Sequence, residues 1–585
     1  MMLLINTYLL PFLVYTLHLL LFSIGPMNDD SQPQASKALV VLAVGLAGRW
    51  RLPLYYCLTD GTNAQLQHSV LKTVISSLWQ CGCYALSITM DGLAANCKTF
   101  QLFGCNFDVD SLITVFPHMD CADASVAAVF DVCHMLKLAR NCLNEYQILV
   151  APGDGQIRWE YVCLLQKKQN LEGLNLANKV TLSHVQYKNQ KMKVRLAAQV
   201  ISNSCASALE YLRKSGYPEF SDTLATENFL RRLDKTFDFL NCRSLFGKGY
   251  KSPTNVVNVL SRIAFLMETK VYLLNLQDSV GTKIVQTKRR MFVVGFCVTI
   301  NSVVYLMKKL LLDSGINGMK LTYFLSYKLS QDHIEVLFSI IRRRGGWSNN
   351  PTALQFRSAY RAILSHVGVS PSHSANCTVD MSDDILLDST DDSAELFDDS
   401  AVALSDHSYS SMLPTLSQYV KDVSSYIAGF VVRKLLPKLK CDECRGLLVD
   451  THSCDTDMSF IRLKNNGGLV MPSASVVRIV HIAERKLRLL TLPGDKPMHA
   501  LSRMGSKLEA FVMHEVGNVH AVFGNTSHIT DTADGIDNHV FSVVRQIVRF
   551  YLRIRKFHLA KIWNINEKGT SVRQQMTKLV LFKNQ

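Results

Sequence analysis

The chain lacks the signatures of several large protein classes. Its 16 cysteines are spread over 585 residues, often singly, rather than at the density of a small secreted disulfide scaffold. No Walker-type glycine loop is present, so that motif gives no sign of a nucleotide site. Charged residues make up only 19% and hydrophobic residues 48%, which argues against a wholly disordered or collagen-like chain. We therefore expect a globular protein from a reducing compartment.

Length and net charge indicate several domains and an anionic partner. At about 100 to 200 residues per domain, 585 residues predict three or four domains. The formal net charge of +15 favours a partner such as nucleic acid. A basic protein with no such partner is the alternative.

Residues 1–25 contain no Asp, Glu, Lys or Arg, and read MMLLINTYLLPFLVYTLHLLLFSIG. The run is long enough to span a bilayer, which takes about 20 residues. It has no basic n-region and no small-residue cleavage pattern, and it has a proline at position 11, all of which argue against a signal peptide. A signal anchor and an incorrectly assigned start of the reading frame are the two alternatives.

Residues 378–410 have the composition of a linker. They contain ten acidic residues, many serines and no Lys or Arg, which is typical of a solvated, disordered segment. Without those ten negative charges the rest of the chain carries +25. The segment either acts as a spacer or competes with nucleic acid for the basic surfaces.

The first third of the chain reads as an α/β pattern. Apolar runs predict strands over 38–47, 52–58, 84–90 and 125–130, with helices over 66–78 and from about residue 134. Asp91 and Asp131 each follow a strand directly. The ends of neighbouring strands are where α/β folds place their chemistry.

A third carboxylate, Glu335, lies in the first turn of a predicted helix. Ser330 is the expected N-cap, and the buried stripe is formed by Ile334, Leu337, Phe338 and Ile341. Grouped carboxylates are what two divalent metals need to activate water or a 3′-hydroxyl for attack on phosphate. The alternative is that all three acids are caps or partners of helix dipoles.

Several blocks of sequence together resemble the P-element transposases and their THAP-domain relatives. The likeness covers about residues 25–367 and continues more weakly in YIAGFVVRKLLPKLKCDEC. The blocks are VGLAGRWRLPLYYCLTDG, SITMDGLAANC, VFDVCHMLKLARN, KMKVRLAAQVISNSCASALEYL, FDFLNCR and LSYKLSQDHIEVLFSIIRRRGGWSNNPTALQF.

The resemblance implies an α/β plus all-α architecture. An RNase H-like core, with a mixed sheet and flanking helices, is interrupted by an α-helical GTP-binding insertion domain and followed by a mostly helical C-terminal region. The domain boundaries that we predict are 1–25 for the apolar segment, 26–150 and 284–367 for the core, 151–283 for the insertion, 368–420 for the acidic linker and 421–585 for the C-terminal domain. The implied activity is metal-dependent cut-and-paste DNA transposition in the nucleus, with Mg²⁺ or Mn²⁺ and GTP as cofactors. The implied partners are transposon ends, target DNA and further copies of the chain, and no membrane.

By resemblance, Asp91 is the second metal-binding catalytic carboxylate and Glu335 the third. Asp131 supports them, because its block has Val132 where the family has proline. The family's first catalytic Asp would fall near position 21, and residues 1–25 contain no acid; Asp29 and Asp30 look like loop residues. The zinc-coordinating THAP domain is also absent. We therefore expect the chain as written to be inactive or severely impaired, unless the true reading frame starts upstream; the alternative is a domesticated, non-catalytic DNA- and GTP-binding remnant.

The predicted insertion contains expected helices over 159–171, 193–212 and 226–240. By resemblance, Phe237, Asp238 and Asn241 bind guanine: Asp238 accepts hydrogen bonds from the base and Phe237 stacks on it. Lys179 is a phosphate partner, and Asp332 links the nucleotide to the catalytic centre. The alternative is that Phe237 is a core residue and Asp238 a surface acid.

Two basic groups are candidates for DNA contact. One is Arg342, Arg343 and Arg344, which are followed by Gly345, Gly346 and Trp347. The other is a helical stripe of Arg545, Arg549, Arg553 and Lys556, which an ordinary amphipathic helix would also show.

Four potential zinc ligands lie within fourteen residues: Cys441, Cys444, His452 and Cys454. The spacing of the last two is tight for zinc, and free thiols are the alternative.

Overall fold

The structure is a computed structural model. The structure describes residues 1–6, 35–46, 50–61, 63–313, 320–344, 350–365, 415–450, 458–465, 467–491, 510, 512–515, 529–532 and 535–562. The chain divides into two compact units. Unit 1 comprises Met1–Glu160, Gln186–Ala206 and Asp222–Ser389, and unit 2 comprises Tyr161–Val185, Ser207–Ser221 and Thr390–Gln585. The predicted acidic linker lies almost entirely outside the described residues.

Unit 1 is built on a six-stranded mixed sheet of order β3-β2-β1-β4-β6-β5. The strands are β1 (Met2–Asn6), β2 (Lys37–Gly45), β3 (Arg51–Thr59), β4 (Tyr84–Met90), β5 (Val115–His118) and β6 (Cys121–Phe130). β1 runs parallel to β2 and antiparallel to β4, while β4 and β6 are parallel. The sheet confirms the predicted strands and the mixed-sheet expectation.

β1 is the part of the fold that sequence reasoning missed. Met2, Leu3 and Leu4 are completely buried in the middle of the sheet. A strand covered on both faces is apolar at every position, so it lacks the alternation that marks a half-exposed strand. Treating residues 1–25 as one segment apart from the core was therefore wrong for residues 2–6; the rest of the apolar run lies outside the described residues.

Seventeen helices are defined in the described ranges. They are α1 (Ala64–Gln80), α2 (Ala94–Leu102), α3 (Val132–Tyr146), α4 (Glu160–Glu172), α5 (Leu182–Val185), α6 (Val194–Val200), α7 (Asn203–Lys214), α8 (Leu224–Leu240), α9 (Val259–Leu274), α10 (Met291–Met307), α11 (Asp332–Arg344), α12 (Ala353–Ser365), α13 (Gln418–Leu435), α14 (Asp442–Leu448), α15 (Ser459–Lys464), α16 (Ala474–Thr491) and α17 (His539–Ile562). Short strands β7 (Ile148–Ala151), β8 (Gly155–Arg158), β9 (Thr254–Asn255), β10 (Gln277–Asp278), β11 (Tyr323–Phe324), β12 (Ile529–Thr532) and β13 (Gly535–Asn538) complete the secondary structure.

α10 is the central helix of unit 1, and fourteen of its 17 residues are buried. Thr299 and Ser302 hydrogen-bond the backbone of β6: the Thr299 hydroxyl donates to the Phe130 carbonyl over 2.8 Å, and Ser302 donates to that of Ala128. Among the described residues, Met291–Leu312 is the one helical stretch long and apolar enough to cross a membrane. A buried core helix has the same length and composition, and most of this one is buried.

α11 packs on the sheet through the stripe that the sequence predicted. Ile334, Leu337 and Ile341 share a hydrophobic cluster with Met2 of β1 and Val40 of β2, and Phe338 is partly buried against it. Ser330 accepts a hydrogen bond from the Asp332 N–H over 3.2 Å, as expected of a residue that starts a helix.

The helix predicted over 193–212 is in fact two helices, α6 and α7. The break occurs where Ser202 accepts a hydrogen bond from the Cys205 N–H over 3.2 Å and Asp234 accepts one from the Asn203 N–H over 3.0 Å. These side chains provide acceptors for backbone donors at the start of α7, so the chain can turn there without losing hydrogen bonds. The helices predicted over 159–171 and 226–240 are confirmed as α4 and α8.

Unit 2 is mostly helical and contains a buried charged network. The Glu484 carboxylate of α16 accepts two hydrogen bonds from the Arg555 guanidinium, over 2.7 and 2.9 Å. It accepts a third from the Tyr551 hydroxyl over 2.8 Å. Arg488 donates a further bond over 2.9 Å. Burial by itself raises the pKa of Glu484, but Arg555 and Arg488 outweigh it and the pKa is lowered. Glu484 is therefore a buried charge with its counter-ions in place.

Candidate functional site

The two strand-end aspartates lie side by side, as the sequence predicted. Met90 of β4 is opposite Phe130 of β6 in the parallel register, so Asp91 and Asp131 leave the same edge of the sheet at the same level. The Asp131 N–H donates to the Met90 carbonyl over 2.9 Å and continues the pairing one residue further.

Asp91 is held by the loop that follows it. Its Oδ1 accepts hydrogen bonds from the Leu93 N–H over 3.0 Å and from Asn96 Nδ2 over 2.7 Å. His134 lies within electrostatic reach: burial and Lys137 lower the pKa of His134, and Asp91 opposes them. Sequence reasoning had missed His134, although it belongs to the VFDVCHMLKLARN block.

Asp131 connects the sheet edge to the start of α11. Its Oδ2 accepts from the His134 N–H over 2.8 Å and caps α3, while its Oδ1 accepts from the Gln331 N–H over 3.1 Å. Burial raises the pKa of Asp131 from its usual 3.8 to about 7, with Asp332 and Glu335 adding to the rise and the two N–H donors opposing it. Asp131 is thus a helix cap, as the structural alternative predicted, and it also connects the start of α11 to the strand ends.

Glu335 lies one turn into α11, and its side chain is exposed. The first turn is tied to the sheet edge, because Gln331 Nε2 donates to the Thr89 carbonyl over 3.4 Å. The charge of Glu335 reaches Asp131. The fold therefore brings the Glu335 helix to the edge where Asp91 and Asp131 end their strands.

Asp332 forms an ion pair with Arg243 at this edge. Arg243 Nη2 lies 2.7 Å from Asp332 Oδ2, both side chains are largely buried, and the Arg243 guanidinium lies 4.1 Å from the centre of the Tyr327 ring. The Tyr327 N–H donates to the Cys242 carbonyl over 3.0 Å. Arg243 was missed from the sequence, although it is the last residue of the FDFLNCR block.

The candidate guanine-binding residues lie at the end of α8, two to six residues before Arg243. Phe237 is half-buried, and Asp238 lies 3.4 Å from Lys251 Nζ. Burial raises the pKa of Asp238, and Lys251 opposes that rise. The Asn241 Oδ1 atom is buried and accepts no hydrogen bond from the described residues. A buried acceptor of this kind fits the N–H edge of a base.

Asp234, one turn before Asp238, is a further acid that the sequence did not single out. Burial raises the pKa of Asp234 to about 7, and the neighbouring Asp238 adds to the rise. Its hydrogen bond from the Asn203 N–H opposes the rise but does not cancel it. Lys251 and Lys235 also oppose it. This face of α8 therefore carries two partly buried acids one turn apart, each with a raised pKa.

The remaining predicted residues belong to different elements of the two units. Lys179 is exposed and belongs to unit 2, whereas Phe237, Asp238 and Asn241 belong to unit 1. Arg342 and Arg344 are exposed and Arg343 is half-buried, with residues 345–347 outside the described ranges. Arg545, Arg549 and Arg553 form the exposed face of α17, opposite buried Val544, Ile547, Val548 and Tyr551; nothing is described of the Lys556 side chain.

Within the described ranges, no three His, Cys, Asp or Glu side chains come together as a group able to hold a metal ion. This includes Cys441 and Cys444: Cys444 is buried, and burial and Cys441 raise the pKa of its thiol to about 11. The other two predicted zinc ligands, His452 and Cys454, lie outside the described residues.

Family models match four segments of the chain. The model described as TNP-like, RNase H N-terminal domain, matches residues 21–104, and the TNP-like GTP-binding insertion domain matches residues 133–253. The TNP-like RNase H C-terminal domain matches residues 327–361, and the C-terminal domain of DNA transposase THAP9 matches residues 415–561. These models confirm an RNase H-like fold with an insertion.

Two curated proteins are similar along most of the chain. DNA transposase THAP9 of Homo sapiens is 27% identical over 566 residues, which are 92% of this chain and 61% of that protein. The transposable element P transposase of Drosophila melanogaster is 24% identical over 562 residues, or 92% of this chain and 64% of that protein. The chain thus spans less than two thirds of either relative. A solved Drosophila P element transposase strand transfer complex aligns with a TM-score of 0.48 at 20% identity, covering 57% of this chain and 74% of that one.

Proposed function

Because the chain belongs to the family of P-element transposases and their THAP9 relatives, we propose that it is a nuclear protein that binds DNA and a guanine nucleotide on an RNase H-like core. The observation that supports this most directly is the meeting of Asp91, Asp131 and the Glu335 helix at one edge of the sheet. Carboxylates placed there are what phosphoryl transfer on DNA requires.

Asp91 and Glu335 are our candidates for binding Mg²⁺ or Mn²⁺. Carboxylate oxygens are the ligands that these ions prefer, and when bound they polarise phosphate oxygens. The described side chains do not by themselves form a complete metal-binding set, since Asp91 is engaged by Asn96 and no group of three ligands is present among them.

The missing first carboxylate bears on activity. Position 21, near which the resemblance expects it, lies outside the described residues, and residues 1–25 contain no acid. In the described part of that segment, β1 pairs with β4 through buried Met2, Leu3 and Leu4. Loss of one ligand from a two-metal site should remove most of the rate. We therefore expect this sequence to bind DNA and nucleotide with little or no metal-dependent cleavage, which favours the second candidate function, that of a non-catalytic binding protein.

Guanine binding is assigned to the end of α8. Asn241 Oδ1 and the half-buried Asp238 carboxylate offer acceptors to the N–H groups of the base, and Phe237 offers a ring for stacking. Lys179 is proposed as a phosphate partner. Arg243 lies two residues after Asn241 and is paired with Asp332. A conformational change on nucleotide binding would therefore reach α11 through this ion pair.

Nucleotide binding is tested with a fluorescent guanine nucleotide on the full chain. Asp238→Asn should weaken binding roughly tenfold or more, since a hydrogen bond to a charged group contributes about 1.5–3 kcal/mol. Asp222→Asn, which changes an exposed acid of the same unit, is the matched control and should bind as the wild type does. Failure of the wild-type chain to bind, or competition by ATP as effective as that by GTP, would contradict the assignment.

Catalysis is tested by incubating labelled duplex DNA with the chain in Mg²⁺ or Mn²⁺. We expect no cleavage above that of Asp91→Asn. If the wild-type chain cuts DNA and both Asp91→Asn and Glu335→Gln abolish cutting, the carboxylates are correctly assigned and the expected impairment is wrong.

A further inference from the structure

The edge of the sheet that carries the carboxylates is unfavourable for DNA unless positive charge lies beside it. Asp91, Asp131, Asp332 and Glu335 gather there, whereas duplex DNA carries about one negative charge per 1.7 Å of its length. Arg243 is already paired with Asp332. Arg342–Arg344 lie seven to nine residues beyond Glu335, roughly 10–14 Å along the helix at 1.5 Å per residue.

A second basic group, Lys288, Arg289 and Arg290, ends directly at the start of α10, and all three residues are exposed. Arg289 forms an ion pair with Glu145 at the end of α3. Among the described residues, Lys288 and Arg290 form no ion pair. They therefore present two positive charges that the rest of the described fold does not neutralise.

The residue that follows this basic group packs against the loop after Asp91. Met291, which follows Arg290, packs so closely on Gly92 that a Cβ added to that glycine would be 2.9 Å from Met291 Cγ. Met291 Sδ is also 4.0 Å from Cys97 Sγ, in the helix that begins just after Asp91. The charges of Asp91 and Arg290 both affect the pKa of the Cys97 thiol. Burial and Asp91 raise this pKa, and Arg290 lowers it. The charges of Asp91 and Arg290 thus act on the same side chain in opposite directions.

We propose that Lys288 and Arg290 form a subsite for the DNA backbone, where they bind phosphates of the strand that lies beside Asp91. This inference rests on the proposed DNA-binding function and adds the surface that offsets the repulsion from the acidic centre. The arginine fork suits two phosphate oxygens, and the lysine acts as a point charge. Because the contacts are to phosphate, they position the strand without reading its sequence.

The test measures DNA binding by fluorescence anisotropy on the full chain as a function of salt. Lys288→Ala/Arg290→Ala should weaken binding about ten- to a hundredfold near 0.1 M salt and reduce the slope of log K against log[salt] by about 2, because each phosphate contact contributes about 0.9 to that slope. Arg289 is left in place to keep its pair with Glu145, and Arg290 makes no side-chain cap to α10. Binding of guanine nucleotide should be unchanged, which reports that the variant is folded.

The matched control is Lys72→Ala/Lys214→Ala, which removes the same net charge at two exposed lysines. It should change affinity and salt slope much less. Equal losses in the two double variants, or none in Lys288→Ala/Arg290→Ala, would overturn the subsite while leaving DNA binding itself intact. A wild-type chain without affinity for DNA would overturn both the subsite and the DNA-binding function. The charge-keeping variant Lys288→Arg/Arg290→Lys should retain most of the binding.

Discussion

Asp131 in unit 1 and Glu484 in unit 2 are both buried carboxylates, yet their surroundings have opposite effects. Around Asp131 the nearest charges are two more acids, and its pKa is raised to about 7. Around Glu484 the nearest charges are two arginines, and its pKa is lowered in spite of complete burial. Burial penalises the charged form in both places, so the neighbours decide the outcome. An acid among acids is therefore shifted towards its protonated form, whereas an acid among arginines is held in its charged form.

This contrast distinguishes a candidate functional site from an ion pair with a purely structural role. Glu484 connects α16 to α17 and needs nothing further. Asp131 connects β6 to α11 but leaves excess negative charge at the sheet edge. Strongly perturbed acids of the second kind are the ones to suspect of function.

The largest effect is expected from Glu484→Gln. It leaves the Arg555 guanidinium buried without its counter-ion, which should destabilise α16 and α17 by about 3–5 kcal/mol. Hydrogen exchange of the α16 and α17 amides measures this loss directly.

Two further variants serve as controls for Glu484→Gln. Asp442→Asn removes an exposed partner of Arg445, 3.0 Å away, and should change stability by less than about 1 kcal/mol. Glu484→Leu/Arg555→Leu removes both charges and should be much less damaging than Glu484→Gln. Equal damage from the single and double variants would mean that packing, and not the charge pair, stabilises the two helices.

The next effect concerns the pH dependence of stability through Asp131. Its pKa is higher in the folded chain, about 7, than its usual 3.8, so between those values the folded state holds a proton that the unfolded state does not. The contribution of Asp131 to the free energy of unfolding is therefore fully present below about pH 4 and is lost as the pH rises towards 7. The loss is at most about 4 kcal/mol, at about 1.36 kcal/mol per pKa unit.

Thermal unfolding of the wild type and of Asp131→Asn, compared from pH 5 to pH 8, measures that decline. The difference between the two should shift in favour of Asp131→Asn as the pH rises. A difference that does not change with pH would show that Asp131 keeps an ordinary pKa and that the contrast with Glu484 is wrong.

A smaller effect is expected from Arg243→Ala. It removes the counter-ion of Asp332 and should cost about 1–3 kcal/mol. The loss should be larger at pH 8 than at pH 5.5, because Asp131, whose pKa is about 7, adds its negative charge at the higher pH. Arg243→Lys keeps the charge and should lose less. Thermal unfolding at both pH values measures these differences; the same loss at both would argue that Arg243 contributes through its packing on Tyr327 alone.

Much of the fold could be predicted from periodicity. The strand predicted over 84–90 is β4 to the residue, and the stripe of α11 faces the sheet as expected. The failures have physical causes. β1 is apolar on both faces, so nothing distinguishes it from a membrane segment. The break between α6 and α7 depends on the Asp234 carboxylate, some thirty residues away, which no local pattern reveals.

Some features of the candidate site could likewise be predicted from the sequence and others could not. The positions of Asp91 and Asp131 after their strands are visible in the sequence, because strand ends are marked by a change from apolar to polar residues. The contact of Arg243 with Asp332 joins residues 89 positions apart, and that of Asp131 with Gln331 joins residues 200 apart. Such pairs have no sequence spacing that indicates them.

The sequence by itself therefore determined the family and most of the predicted strands and helices, with β1 and the break between α6 and α7 as the exceptions, because hydrophobic periodicity and blocks of residue types are local properties of a chain. The tertiary structure alone decided the charge state of the buried groups and the surface next to Asp91. Desolvation and Coulomb interactions depend on distances in space. The charges of Arg290 and Asp91 both act on the Cys97 thiol, and the Glu484 carboxylate accepts hydrogen bonds from two arginines.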